Sequence, residues 1–159
     1  MKKIVLIIVV SVLLAMCGSK KNATAAAEKT EGPEVQYRDD FKAAPESQKN
    51  KLLKTLKATG KNYSVLVFTK AYKGEKITVS SNGKTLYRGN LISSLKTGIA
   101  EEIRIVNTAE TKVYDDLTKK EVIIPAEEAQ KHKFIYLMKE NGKNNPFTIT
   151  YSNTLRPLK

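Results

Sequence analysis

Apolar and polar residues change their rhythm three times along this chain. Residues Ile4–Ala15 are apolar with only Ser11 breaking the run, short of the roughly 18 apolar residues that span a bilayer comfortably. Residues 18–36, "GSKKNATAAAEKTEGPEVQ", show no apolar period. Such a stretch cannot bury enough surface to offset its ordering entropy, so it reads as a flexible tether. Next, Leu52, Leu53 and Leu56 form a narrow apolar stripe behind Pro45 and Glu46, with lysines accumulating toward Gly60. Pro in the first turn, acid early, base late and Gly beyond the end predict one helix over 46–58, capped by Gly60.

From Tyr63 onward the period becomes two. "YSVLVFTK" is β-branched and aromatic on both faces and predicts an inner strand. "EKITVSSNGKTLYRG" carries Asn82-Gly83, the favoured type I′ hairpin dipeptide. A two-residue loop there pairs Ser81 with Lys84, Ser80 with Thr85 and Val79 with Leu86, and turns Val79 and Leu86 to the core. "EEIRIVNT", "ETKVYDD", "EVIIP", "KFIYLMKE" and "FTITYSN" supply the remaining strands. About eight short strands with frequent turns and one N-terminal helix predict a mainly β domain, an antiparallel β-sandwich. A small β-barrel is the alternative. The pattern has the general look of Ig-like or C2-like sandwiches, a likeness of architecture that carries no function. The expected organisation is a signal segment at 1–16, a tether at 17–40 and the sandwich at 41–159.

Lys2 and Lys3 before the apolar run complete a secretory signal. Directly after it stands Cys17, the only cysteine in the chain, preceded by Leu14, Ala15 and Met16. A lone cysteine excludes an internal disulfide and a cysteine-based zinc site. The segment resembles the lipobox of bacterial lipoproteins: Leu14 and Ala15 match, and Met16 departs from the small residue usual there. The resemblance implies cleavage before Cys17 and acylation of its side chain. With Gly18 rather than an aspartate next, it implies an anchor in the outer membrane facing the periplasm. Lys20 and Lys21 add attraction to anionic headgroups. The competing expectation is ordinary cleavage near Ala25 or Ala27, where A-x-A sites occur, giving a secreted soluble protein.

Charge narrows the partners. The chain has 159 residues, 28 Lys and Arg against 16 Asp and Glu, and a net charge of +12. Such a balance favours anionic partners: a glycan, a lipid or an acidic envelope protein. Arginine is confined to Arg38, Arg88, Arg104 and Arg156, and the scarcity of its planar fork disfavours nucleic acid. Lysines also protect sheet edges without any ligand.

Catalytic patterns are sparse. The single histidine, His132, lies between Lys131 and Lys133 at a predicted strand start, and reads as a surface residue at a loop end. A nucleophile elbow of the Gly-x-Ser-x-Gly type is missing from the sequence. Acid pairs occur at Asp39-Asp40, Glu101-Glu102, Asp115-Asp116 and Glu127-Glu128. Neighbours on a strand point to opposite faces, so a pair does not converge by itself. Two pairs brought together by loops would suit Ca²⁺ or a small hydrolase. Neither a metal nor a cofactor is expected. The leading expectation is a non-enzymatic, lipid-anchored binding or scaffolding module; a small envelope hydrolase is the alternative.

Overall fold

The computed structural model describes residues 32–140 and 142–157. Leu14–Cys17, Lys20, Lys21, Ala25 and Ala27, with the cleavage and acylation expected there, lie outside the described residues. Among the described residues no helix is long and apolar enough to cross a membrane.

The chain runs β1 (Glu34–Tyr37), α1 (Glu46–Thr55), β2 (Tyr63–Phe68), β3 (Lys73–Ser81), β4 (Lys84–Ile92), β5 (Glu101–Val106), β6 (Thr111–Asp115), β7 (Lys120–Ile124), α2 (Ala126–Lys131), β8 (Phe134–Lys139) and β9 (Phe147–Ser152). The strands build two sheets, one ordered β1-β9-β8-β2-β5 and the other β4-β3-β6-β7. Both remain open at their edges, so the architecture is a mainly β sandwich and not a barrel. Leu66, Phe68, Ile135, Leu137 and Ile149 of the first sheet pack on Ile77, Val79, Leu91, Val113 and Val122 of the second. A second cluster lies on the other face of the first sheet. There Leu52 and Leu53 of α1, with Ala44 and Leu155, cover Val65, Val67, Phe134 and Tyr136. Strands β2 and β8 are therefore buried on both faces, which is why their sequences are continuously apolar.

All eight strands expected from the pattern are present. A second helix, α2, joins the one expected because Pro125 and the acids Glu127 and Glu128 open a turn that Lys131 closes. Four further details differ. First, the sheets are not purely antiparallel. Strand β1 runs parallel to β9, and β2 runs parallel to β8. The whole second sheet is inserted between β2 and β8, and parallel neighbours need such a long crossover. Second, Glu34–Tyr37, within the expected tether, forms an edge strand, so the sandwich begins before residue 41. Third, α1 ends at Thr55 rather than 58, and Gly60 is not its cap. Lys57 takes the left-handed conformation at φ 52°. The N–H of Ala58 donates to Leu53 O at 2.8 Å and that of Lys57 to Lys54 O at 3.0 Å, closing a Schellman motif. Fourth, the hairpin starts in the expected register, with Asn82 and Gly83 both at positive φ. A bulge then sets Tyr87, not Leu86, opposite Val79 and turns Leu86 outward.

Candidate functional site: a cationic helical layer and a buried ion triad

The outermost layer of the sandwich is cationic because of how α1 is seated. Leu52 and Leu53 face the sheet, which leaves Lys51 and Lys54 in solvent. Residues 42–61 hold Lys42, Lys49, Lys51, Lys54, Lys57 and Lys61 against one acid, Glu46. Glu46 meets Lys49 at 3.5 Å and is itself 75% exposed, a weak pair. Neighbouring elements add to the layer. Arg104 of β5 donates to Lys57 O at 3.2 Å and lies 4.7 Å over the Tyr63 ring. Lys133 donates to Gly60 O at 3.0 Å and Tyr63 O at 2.8 Å. Burial, and then the nearby charge of Lys49, pull the Lys133 ammonium below its ordinary range. Two lysines at the second sheet are placed differently. Lys112 sits between Glu110 at 3.8 Å and Glu121 at 3.6 Å, and Lys119 meets Asp116 at 2.9 Å.

A different use of charge lies inside the sandwich. On β3 Glu75 shares a face with Ile77 and Val79; on β6 Asp115 shares one with Val113; on β8 Lys139 follows Ile135 and Leu137. Each of the three charged side chains thus occupies a core-facing position. Lys139 Nζ meets Asp115 Oδ2 at 2.7 Å and Glu75 Oε1 at 2.9 Å, with side-chain exposures of 1%, 0% and 6% respectively. The triad bridges the two sheets. Leu117 N–H donates to Asp115 Oδ1 at 2.9 Å and the Thr118 hydroxyl to Asp115 Oδ2 at 2.9 Å. Lys73 N–H donates to Glu75 Oε2. Burial pushes Lys139 down, but its hydrogen bonds to Asp115 and Glu75 outweigh it and hold the ammonium above its ordinary range. Burial pushes Glu75 up, and the bonds from Lys139 and the Lys73 amide outweigh that in turn. Tyr72, buried nearby, is raised well above its usual value by burial and then by Asp115 and Glu75.

Against protein-family models the chain finds no match, and no curated protein matches it.

The catalytic candidates end in separate places. His132 is the C-cap of α2, and its side chain is only 16% exposed, so it is packed rather than a surface residue. Its Nδ1 lies 2.9 Å from Glu128 O, and its ring packs 5.6 Å from Tyr37 and 5.2 Å from Tyr151. Asp39 accepts from Ser152 Oγ at 2.7 Å and Asn153 N at 2.6 Å, clamping the turn after β9, while Asp40 pairs with Arg38. Glu102 is partly buried with Oε1 unpartnered, and burial followed by Glu101 raises its carboxyl. Glu128 pairs with Lys131 on α2, and Asp116 with Lys119. A cleft of about 220 Å³ beside Arg156 and Tyr136 is lined by neither His132 nor a member of the acid pairs. Among the described residues no three His, Cys, Asp or Glu side chains are grouped to hold a metal ion.

Residue type alone places Glu75, Asp115 and Lys139 at the surface, and the triad overrides that expectation. The available signal was parity: Glu75, Asp115 and Lys139 each extend an apolar alternation by one core-facing step.

Proposed function

We propose that this chain is a lipid-anchored protein of the cell envelope, held through Cys17 in the outer membrane and facing the periplasm. Its sandwich serves as a non-enzymatic binding or scaffolding module for an anionic envelope glycan, lipid or protein. The observation that carries the binding part is the α1 layer, where Lys42, Lys51, Lys54, Lys57 and Lys61 are exposed and the one carboxylate, Glu46, is weakly paired with Lys49. Exposed cations without a close carboxylate keep their attraction for an external anion, whereas Lys112 and Lys119 at the second sheet spend theirs on neighbouring carboxylates. Several acyl chains, as the lipoprotein resemblance implies, give lasting attachment where one chain gives only marginal binding. A flexible segment of about 20 residues reaches roughly 25 Å root-mean-square, which lets the cationic layer meet a partner near the membrane.

Two measurements test this. Fatty-acid labelling of the full chain expressed in a Gram-negative host is expected to mark wild type and not Cys17→Ser. Equal label on both, or an unacylated mature terminus beginning near Ala25 or Ala27, overturns the anchor. Binding of the full chain to lipopolysaccharide or to vesicles containing anionic phospholipid is expected to weaken as salt rises. Binding that ignores salt removes the cationic layer from the account.

A further inference from the structure

We infer that Lys139 and Asp115 join in an intramolecular amide bond that staples the two sheets, with Glu75 carrying the protons. This inference is independent of the proposed function. The geometry is that of a nucleophile, an electrophile and a shuttle already in contact. Lys139 Nζ lies 2.7 Å from Asp115 Oδ2 and 2.9 Å from Glu75 Oε1, out of solvent. Holding reacting groups in this way corresponds to effective concentrations on the order of 10⁵–10⁸ M. That is the condition under which a condensation normally opposed by water runs forward.

The step balances without any oxidant, reductant or co-reactant. Glu75 takes one proton from the Lys139 ammonium, a transfer that runs against the hydrogen bonds favouring the ionised pair but removes a positive and a negative charge from a buried site together. The freed amine forms the Nζ–Cγ bond with Asp115. Oδ1, which accepts the Leu117 N–H at 2.9 Å, is held as charge develops on it. Glu75 delivers its proton to Oδ2 and relays the second proton from nitrogen to the same oxygen. The Cγ–Oδ2 bond breaks and one water leaves. An open groove of about 590 Å³, lined by Glu75 together with Gly74, Asp116 and Leu117, gives that water a way out. The product replaces a buried ammonium and a buried carboxylate with a neutral amide. Asp115 rather than Glu75 is the acyl partner because it is the nearer carboxylate and both its oxygens accept further donors, from Leu117 and Thr118.

The test is a denaturing tryptic digest of the folded, purified full chain, read by mass spectrometry. Wild type is expected to give a branched peptide joining residues 113–119 to residues 134–143. Its mass is lower by one water than the sum of its parts, and cleavage after Lys139 is lost. Glu75→Gln is expected to give separate peptides 113–119 and 134–139, with the circular dichroism of a folded sandwich. Should Glu75→Gln fail to fold, the wild-type digest decides alone. Unlinked 113–119 and 134–139 in full yield from wild type overturn the inference. A branch onto residues 74–76 instead overturns the assignment of Asp115 as the acyl partner.

Discussion

Lysine does opposite work in the α1 layer and at the interior end of β8. On α1, Lys51 and Lys54 stand in solvent, and their helix is fixed by Leu52 and Leu53 beneath them. At Lys139 the charge itself is buried between sheets and satisfied by two carboxylates. Removing an exposed lysine changes what the molecule attracts and leaves its fold alone. Removing the buried one leaves two buried carboxylates without a cation. The difference teaches that the net charge of +12 is not one property. It divides into a share available to partners and a share spent on holding the sheets together.

The largest effect is expected at the core. Lys139→Met strands the buried Asp115 and Glu75 carboxylates without a cation or an amide partner and should destabilise the sandwich by about 3–5 kcal/mol. The combined variant Lys139→Met, Glu75→Gln, Asp115→Asn removes the stranded charges and should recover part of that loss. Chemical denaturation of the three proteins checks both statements, and equal stability of the single and combined variants would show that charge was not the cause. On the other side of the comparison, Lys51→Ala with Lys54→Ala should weaken binding to anionic vesicles about thirty-fold. That corresponds to about 1 kcal/mol for each lysine near an anionic surface. Stability should stay within about 0.5 kcal/mol of wild type.

Glu102 sharpens the contrast from the acid side. It pairs across from Val67 on the helix-covered face and, unlike Asp115, has a buried oxygen without a partner. Its carboxyl is raised above 4.5 by burial and by Glu101. The folded state thus holds that proton more tightly than the unfolded chain. This stability is present below the ordinary carboxylate range and is lost as pH rises through the raised value. Glu102→Gln should remove that loss and stabilise the protein by about 1–2 kcal/mol at neutral pH. Urea midpoints measured from the ordinary carboxylate range up to neutral pH test it; parallel curves for the two proteins would contradict it. The smallest effect is at the end of α1. Lys57→Gly relieves a left-handed residue and should add about 1 kcal/mol, read as a higher thermal midpoint.

The strands were legible because β-branched alternation is a local property. Val65, Leu66 and Val67 announce an inner strand whatever surrounds them. The type I′ turn was equally legible, since Asn82-Gly83 needs nothing beyond itself. What stayed hidden depends on distant chain. The four residues of β1 carry no core signal until β9 lies beside them, and the parallel pairing of β2 with β8 exists only after the second sheet has been inserted. The bulge at Val79 was invisible for a related reason: packing of Tyr87 against the core, not turn chemistry, decides which residue faces inward. Of the candidate sites, the cationic helix was readable from its lysines. The triad required knowing that three strands bring their core-facing charges to one point.

One titration decides whether the cationic layer serves a partner while the core holds the fold without it. Wild type and Lys51→Ala with Lys54→Ala, both full-length, are titrated with anionic phospholipid vesicles at low and high salt, and their thermal midpoints are recorded in parallel. Matching midpoints, weaker binding by the variant at low salt and convergence of the two at high salt are expected. Equal affinities at low salt with a lowered midpoint for the variant would contradict it, because the lysines would then serve the fold and not a partner.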